Sequence, residues 1–372
     1  MTNNTIFNTT KTLEEYSEKK LFGVGEMPLL NTIHKNYPEL WKTYKDMKAL
    51  DWNENEIDYD QCLVDFEKAP PDMAEMMIKT LMWQWEADSI AAQAPTYILA
   101  PFEPCLELLE AEKIITVNEG VHGLSYSEVV RMSFKNPDKV LSDILEQKEI
   151  FERSTSFGTL MKEIKRFSIQ LAYNKEFGLE IPSLEEQTKV LMQYYFVMLC
   201  LERIQFMCSF AITFTICQTG FFMPIGSVVM KICQDELEIH SEYRKNVLKA
   251  LMKTPLGVKV FEELKPSFET LLEDVVTEEH RWTREFVFEN GKKSLIGTNE
   301  DLVCSFGLYA AKDVANTFKL KPNLVFPKNN PMPHLEQWMD LSKIQQAPQE
   351  QDIVAYQKNT ITRKDEQEIF EF

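Results

Sequence analysis

Residues 190–217, VLMQYYFVMLCLERIQFMCSFAITFTIC, are almost entirely apolar and indicate one kind of architecture. The segment is long enough to cross a membrane, but Glu202 and Arg203 lie at its centre. Each of these charges would cost about 2.5–3.5 kcal/mol in the middle of a bilayer. The segment therefore predicts a helix buried in a soluble helical bundle, with the carboxylate of Glu202 inside the core.

The overall composition favours long helices and argues against several classes of function. Glycine accounts for only 12 of the 372 residues, less than half of the roughly 7% that is usual, which disfavours a glycine-rich nucleotide-binding fold. The 40 basic and 58 acidic residues give a net charge of −18, which argues against nucleic acid or a membrane as a partner. The seven cysteines include no Cys-x-x-Cys pair, as is typical of a reduced, cytoplasmic protein.

Helix signals follow one another along most of the chain. Long helices are predicted at about residues 71–97, from 101 or 104 to beyond 126, 138–150, 153–175, 184–218, 225–252 and 256–290. Beyond about residue 320 the sequence becomes proline-rich and then polar, with an apolar end at Ile369, Phe370 and Phe372. We expect one helical domain over residues 1–340, irregular in its first thirty or so, and a flexible tail over 341–372 that docks a partner.

Two halves of the sequence carry the same loose pattern of polar residues. In each half, one carboxylate is followed about thirty residues later by a Glu and a His on one helix face: Asp88 with Glu119 and His122, and Glu202 with Glu236 and His240. This is the ligand set of di-iron and di-manganese carboxylate bundles. Carboxylates can bridge two divalent ions, and one imidazole per ion leaves positions open for dioxygen. We therefore expect an all-α, ferritin-like bundle of long helices with a di-metal site.

The spacing of the second Glu–His pair is unusual. Three residues separate Glu236 from His240, whereas two separate Glu119 from His122. The additional residue would turn the imidazole by about 100° on a regular helix, and Glu238 lies about 200° from Glu236, so it cannot substitute. A π-bulge absorbs one inserted residue, so we expect a helix distortion between residues 232 and 242, with both ligands still facing the metals.

The remaining histidines fit a structural role better than a metal site. His34 lies in a polar segment, His280 in the sequence EEHRW, and His334 among prolines and charges. A single Glu-x-x-His is also common on solvated helix faces, so only the complete pattern favours metal binding.

The segment Glu119-Gly-Val-His122-Gly-Leu-Ser-Tyr126 resembles the radical-generating small subunit of class I ribonucleotide reductase, in which a tyrosine stands four residues beyond the metal-binding histidine. The resemblance extends from about residue 52 to the C-terminus, and includes Asp88-Ser-Ile, LERIQFMCSF and Asp235-Glu236. It implies that two iron ions, or manganese ions in their place, are held by six ligands: Asp88, Glu119, His122, Glu202, Glu236 and His240.

The same resemblance implies roles in forming and moving a radical. Tyr126 would carry the radical, enclosed by Phe206, Phe210 and Ile232, although a buried tyrosine can also be ordinary core. A tyrosine here argues against the subgroup with phenylalanine and a manganese–iron pair. Long-range transfer would use three further residues and, more weakly, a tail acid: Trp52, Asp235, Tyr356 and Glu350.

The resemblance also implies the partners. The chain would form a homodimer and pass the radical through its C-terminal tail to a separate large subunit, which reduces ribonucleotides. Two alternatives stay open from the residues alone. One is a di-metal oxidase or monooxygenase that acts on its own bound substrate, and the other is a metal-storage protein that would need neither Tyr126 nor Trp52.

Overall fold

The chain folds as an assembly of helices. The computed structural model describes residues 11–25 and 29–339. Within these ranges there is no β-strand, and a single isolated β-bridge pairs Leu295 with Thr298. The predicted all-α class is confirmed.

The first half of the chain contains nine α-helices in the described residues. They are α1 (Leu13–Ser17), α2 (Pro38–Ala49), α3 (Asp60–Lys68), α4 (Pro71–Ala91), α5 (Ala94–Leu99), α6 (Leu106–Ser133), α7 (Pro137–Glu146), α8 (Lys148–Arg153) and α9 (Thr155–Glu176). The second half contains seven more, three of which continue into a π-helical turn. They are α10 (Leu184–Cys200, then the π-turn Leu201–Gln205), α11 (Phe206–Cys217), α12 (Met223–Gln234, then the π-turn Asp235–His240), α13 (Ser241–Leu251), α14 (Pro255–Arg281, then the π-turn Trp282–Val287), α15 (Glu300–Phe318) and α16 (Glu336–Met339).

The apolar segment forms one continuous helix, Leu184–Cys217, made of α10, its π-turn and α11. It begins at a capping box in which Ser183 and Glu186 bond each other's backbone N–H groups. By length and composition this helix could cross a membrane, but 94% of its most apolar window is buried inside the protein. The expectation of a buried core helix is confirmed.

Four helical segments surround a common interior: α4, α6, the continuous helix α10–α11, and α12 with α13. Helix α4 packs against α6 and α11, α10 packs against α13, and α11 packs against α12. Helix α15 approaches α11 so closely that a Cβ at Gly307 would lie 2.9 Å from Cys208 Sγ. The long helices therefore direct their inner faces toward one region, where the polar residues of the two sequence halves meet.

Several helix boundaries differ from the expectation. The helix predicted over residues 71–97 is broken between α4 and α5, because Pro95 lacks the N–H that would continue the helix and its ring would clash with the preceding turn. The helix predicted over 138–150 ends at Glu146, and α8 begins two residues later. Helices α2, α3 and α15 were not anticipated from the sequence.

Two further expectations concern cysteines and the tail. All seven cysteines are buried and free. The tail over residues 341–372, including Glu350 and Tyr356, lies outside the described residues.

Candidate metal centre

The structure brings together all six residues expected to bind metal. They form two groups: Asp88, Glu119, His122 and Glu236 make the first, and Glu119, Glu202, Glu236 and His240 make the second. In each group the potential ligand atoms all lie within 4.8 Å of one another, and every residue is buried. Because Glu119 and Glu236 belong to both groups, the arrangement fits two ions bridged by two carboxylates.

Both imidazoles face the shared carboxylates. The Nδ1 atom of His122 lies 3.2 Å from Glu236 Oε1, 3.6 Å from Glu119 Oε2 and 3.9 Å from Asp88 Oδ2. The Nδ1 atom of His240 lies 3.5 Å from Glu119 Oε1 and 3.5 Å from Glu236 Oε1. Each histidine can therefore serve one ion while the two glutamates lie between them.

The polar atoms of this cluster lack other partners. Both carboxylate oxygens of Asp88, Glu119 and Glu236 are buried without a hydrogen-bond partner among the described residues, and so are both ring nitrogens of His240. Burying unpaired carboxylates is costly unless cations or protons neutralise them. The donor set of carboxylates and imidazoles therefore fits a pair of divalent transition-metal ions.

The pKa values show how the cluster distributes protons in the absence of cations. Burial would lower the pKa of His122, but its contacts with Asp235, Glu119 and Glu236 outweigh burial and raise the pKa well above its usual range. Burial, reinforced by Glu119, raises the pKa of Asp88 well above its usual range. Without cations the cluster therefore favours bound protons, and bound metal ions would neutralise the same carboxylates in their place.

The unusual spacing at Glu236 and His240 is accommodated by a π-turn. This turn spans Asp235–His240, and the Ser241 N–H donates to the Glu236 carbonyl, five residues earlier. Both ligands face the cluster, while Glu238 is exposed. The predicted distortion between residues 232 and 242 is confirmed.

A second π-turn was not anticipated. It spans Leu201–Gln205 and contains Glu202, and the Phe206 N–H donates to the Leu201 carbonyl. Since this helix supplies a single carboxylate to the cluster, it has no Glu–His spacing from which the distortion could have been predicted.

Tyr126 lies beside the metal cluster on α6. Its side chain is 1% exposed, and burial together with the charges of Asp88, Glu236 and Glu119 raises the pKa of its phenol well above the usual range. Phe206 and Phe210 are buried and stack with ring centroids 5.4 Å apart. Ile232 is also buried. The enclosure of Tyr126 by these three apolar side chains stays a prediction.

Trp52 and Asp235 form a hydrogen-bonded chain with His122 of the candidate metal centre. Trp52 Nε1 donates to Asp235 Oδ2 over 2.8 Å, and His122 Nε2 lies 3.0 Å from the same oxygen. The indole also stacks on the imidazole, with centroids 5.8 Å apart and planes 22° apart. Trp52 is 8% exposed. These hydrogen bonds therefore connect His122, through Asp235, to the indole of Trp52, which retains a small exposed area.

Arg244 is a site residue that the sequence reasoning missed. Its Nε donates to Glu202 Oε1 over 3.0 Å, and its Nη1 donates to Glu112 Oε1 over 2.7 Å. Two signals in the sequence could have identified it. Arg244 stands one helical turn beyond His240, and a carboxylate in the middle of an apolar helix requires a partner.

Arg153 was also missed, and it supports the second π-turn. Its guanidinium lies 3.6 Å from the ring centroids of both Trp83 and Trp282. Its Nη2 donates to the Gln205 carbonyl and to Glu279, each over 2.6 Å. A fully buried cation between two indoles therefore holds the turn that carries Glu202.

A model of the family described as ribonucleotide reductase, small chain, matches residues 30–331 of this chain. The chain belongs to this family. The similar ribonucleoside-diphosphate reductase 1 subunit beta of Salmonella typhimurium is 23% identical over 364 residues, which cover 95% of this chain and 94% of the relative. The expected identity as a small subunit of class I ribonucleotide reductase is thus confirmed, and in this family the small subunit works with a large one.

Solved structures share the fold of this ribonucleotide reductase subunit. The ribonucleotide reductase R2 subunit from Clostridium botulinum matches with a TM-score of 0.74 and 19% identity, covering 91% of this chain and 98% of that one. The dimanganese(II)-NrdF of Streptococcus sanguinis matches with a TM-score of 0.67 and 14% identity, covering 84% and 100%. The expected ferritin-like fold is confirmed.

Proposed function

We propose that this small subunit holds two iron ions and generates a stable radical on Tyr126 for a separate large subunit. The observation that carries the proposal is the pair of buried ligand groups that share Glu119 and Glu236. Their carboxylates lie near enough to Tyr126 to raise the pKa of its phenol. The six ligands are Asp88, Glu119, His122, Glu202, Glu236 and His240. The family assignment favours this role over an oxidase that acts on its own substrate and over a metal-storage protein.

The choice of iron over manganese rests on Tyr126, because the donor types do not distinguish the two metals. Carboxylate and imidazole ligands suit both iron and manganese, and one structural neighbour is named as a dimanganese protein. A tyrosine one turn beyond His122 supplies an oxidisable phenol beside the metals, which supports iron as the working pair. Manganese is the second candidate, and metal analysis of the radical-containing protein distinguishes the two.

Iron bound here supplies the chemistry with dioxygen that oxidises a neighbouring phenol. The chain controls what happens to the proton. Because burial and nearby carboxylates raise the pKa of Tyr126, the phenol keeps its O–H, and loss of an electron requires loss of that proton as well. Asp88 raises the pKa of this phenol more than the other carboxylates do, and among the described residues neither of its oxygens has a hydrogen-bond partner. It is therefore the group placed to take the proton.

The oxidising equivalent would leave the site along the hydrogen bonds that connect His122, Asp235 and Trp52. We propose that Trp52 exchanges the oxidising equivalent with Tyr356 in the tail, which delivers it to the large subunit. The tail, residues 341–372, would dock that subunit, and Glu350 would contribute to the transfer or docking. The chain would act as a homodimer in the cytoplasm.

The experiment is aerobic loading with iron(II), followed by electron paramagnetic resonance and visible absorption. The wild type should bind two iron ions per chain and give a tyrosyl signal. The Tyr126→Phe variant should bind the same iron and give no such signal, whereas Tyr173→Phe, at an exposed tyrosine on α9, should resemble the wild type. An undiminished tyrosyl signal in Tyr126→Phe would contradict the proposal.

A further inference from the structure

Glu202 differs from the other carboxylates of the cluster. Both oxygens of Asp88, Glu119 and Glu236 lack a hydrogen-bond partner among the described residues. In Glu202, by contrast, Oε1 accepts a hydrogen bond from Arg244 Nε over 3.0 Å, and Oε2 alone lacks a partner. Among the described residues, Glu202 is therefore the one carboxylate of these four with a single oxygen that lacks a hydrogen-bond partner.

Arg244 is fixed in place from its other side. It is fully buried, and its Nη1 donates to Glu112 Oε1 over 2.7 Å. The same Glu112 oxygen accepts a hydrogen bond from Tyr243 over 3.0 Å. The guanidinium also lies 5.4–5.7 Å from the rings of Tyr194, Tyr195 and Tyr243. The arginine is therefore held by a second carboxylate and three aromatic rings, independently of Glu202.

The charge of Arg244 is maintained inside this packing. A guanidinium is not deprotonated in proteins, and both Glu112 and Glu202 accept hydrogen bonds from it. A charged donor to a charged acceptor makes one of the stronger hydrogen bonds in proteins. The bond to Arg244 uses one of the two lone pairs of Oε1 and directs this oxygen toward the guanidinium. Turning Oε1 toward an ion would weaken that bond and leave a buried cation less well paired.

We propose that Arg244 is a positioning residue that restricts Glu202 to metal binding through Oε2 alone. The inference rests on the proposed function, because it requires ions in the two groups. Each group contains three carboxylates and one imidazole, so Arg244 makes the groups unequal: the group with His240 receives a carboxylate that can offer only one oxygen. Outer partners that orient metal ligands in this way are known to tune metal sites.

A metal-loaded structure tests the binding mode directly. Crystals of the wild type loaded with manganese(II) without air should show Glu202 bound through Oε2, with Oε1 still within hydrogen-bond distance of Arg244 Nε. Both oxygens on one ion, or Oε1 turned away from Arg244, would overturn the inference. Failure of the wild type to bind a pair of ions would instead contradict the proposed function, so the two failures are distinguishable.

Variants test whether Arg244 causes this mode. In protein loaded with two cobalt(II) ions per chain, Arg244→Met should lose intensity in the visible cobalt bands, because a freed second oxygen raises the coordination number. Arg244→Lys keeps a charged donor and should restore the wild-type spectrum. Arg244→Met leaves Glu112 buried with its hydrogen bond from Tyr243 but without its cation. If this single variant does not fold, Arg244→Met combined with Glu112→Gln removes the unbalanced charge and allows the same measurement.

The matched control is Arg203→Met. Arg203 adjoins Glu202 in sequence but pairs with Asp313 over 3.1 Å, outside the cluster. Its loss removes the same charge and should leave the cobalt spectrum unchanged. If Arg244→Met and the double variant both bind two cobalt ions with the wild-type spectrum, Arg244 has only a structural role and the inference is wrong.

Discussion

Replacing Trp52 with phenylalanine separates forming the radical from delivering it. The substitution keeps an aromatic ring but removes the N–H that donates to Asp235 over 2.8 Å. Asp235 keeps its contact with His122 at 3.0 Å, so the metal ligand stays oriented. Metal content and the tyrosyl signal after aerobic iron loading should therefore match the wild type, whereas turnover with the large subunit should fall to background.

The structure also sets the expected cost in stability. A hydrogen bond to a charged group contributes about 1.5–3 kcal/mol. With an unfolding entropy near 2.1 cal/mol/K per residue, a chain of this size should melt about 2–4 °C lower. A decrease of that size leaves the protein folded at assay temperature, so lost turnover cannot be ascribed to unfolding.

Trp338→Phe is the matched control. Trp338 stacks on Phe214 with centroids 5.1 Å apart, and its N–H has no hydrogen-bond partner among the described residues. This variant should retain turnover. Full turnover in Trp52→Phe would refute the transfer route, and loss of the radical in the same variant would show that Trp52 supports the cluster itself.

Three further outcomes are expected. Removing residues 341–372 should leave iron content and radical unchanged, as measured by electron paramagnetic resonance, but abolish turnover with the large subunit; full turnover would show that the tail does not dock it. Anaerobic loading with two iron(II) ions, each at 100 times its dissociation constant, should stabilise the fold by about 5 kcal/mol, or roughly 7 °C in a thermal melt, and Glu119→Ala should lose most of this shift. Arg153→Met leaves Glu279 buried without its partner and should cost about 3–5 kcal/mol, whereas Arg131→Met, at an exposed pair, should not change the melt; equal melts for the two variants would contradict the assigned role of Arg153.

The residues of the candidate metal centre could be predicted from sequence because they follow helical periodicity. Glu119 and His122 share a face without any tertiary information, and the four-residue step to His240 indicated its own π-turn. The π-turn around Glu202 is not indicated by any spacing of residues in the sequence. Its geometry is maintained by the Arg153 bond to the Gln205 carbonyl, a contact between residues 52 positions apart, and no local pattern encodes that distance.

The burial of the two arginines of the site, Arg244 and Arg153, could not be predicted from their local sequence either. Arg244 and Arg153 lie in polar segments that are typical of solvated surface, yet both are fully buried. Their locations depend on which helices meet, and therefore on tertiary packing. Helix α15 was a different omission, since Asn299 caps it and Glu300 and Asp301 follow in its first turn. Those signals were present locally and could have been recognised.

The buried helix Leu184–Cys217 creates a problem during synthesis. Its packing partners α12 to α15 follow it in the chain and end at Phe318. At about 5–20 residues per second, the roughly 100 intervening residues take about 5–20 s to leave the ribosome. Until α15 has emerged, the most apolar part of the chain lacks some of its C-terminal partners, and its hydropathy resembles that of a segment destined for membrane insertion. Newly made chains should therefore depend on chaperones at this stage, and chains that stop before α15 should aggregate.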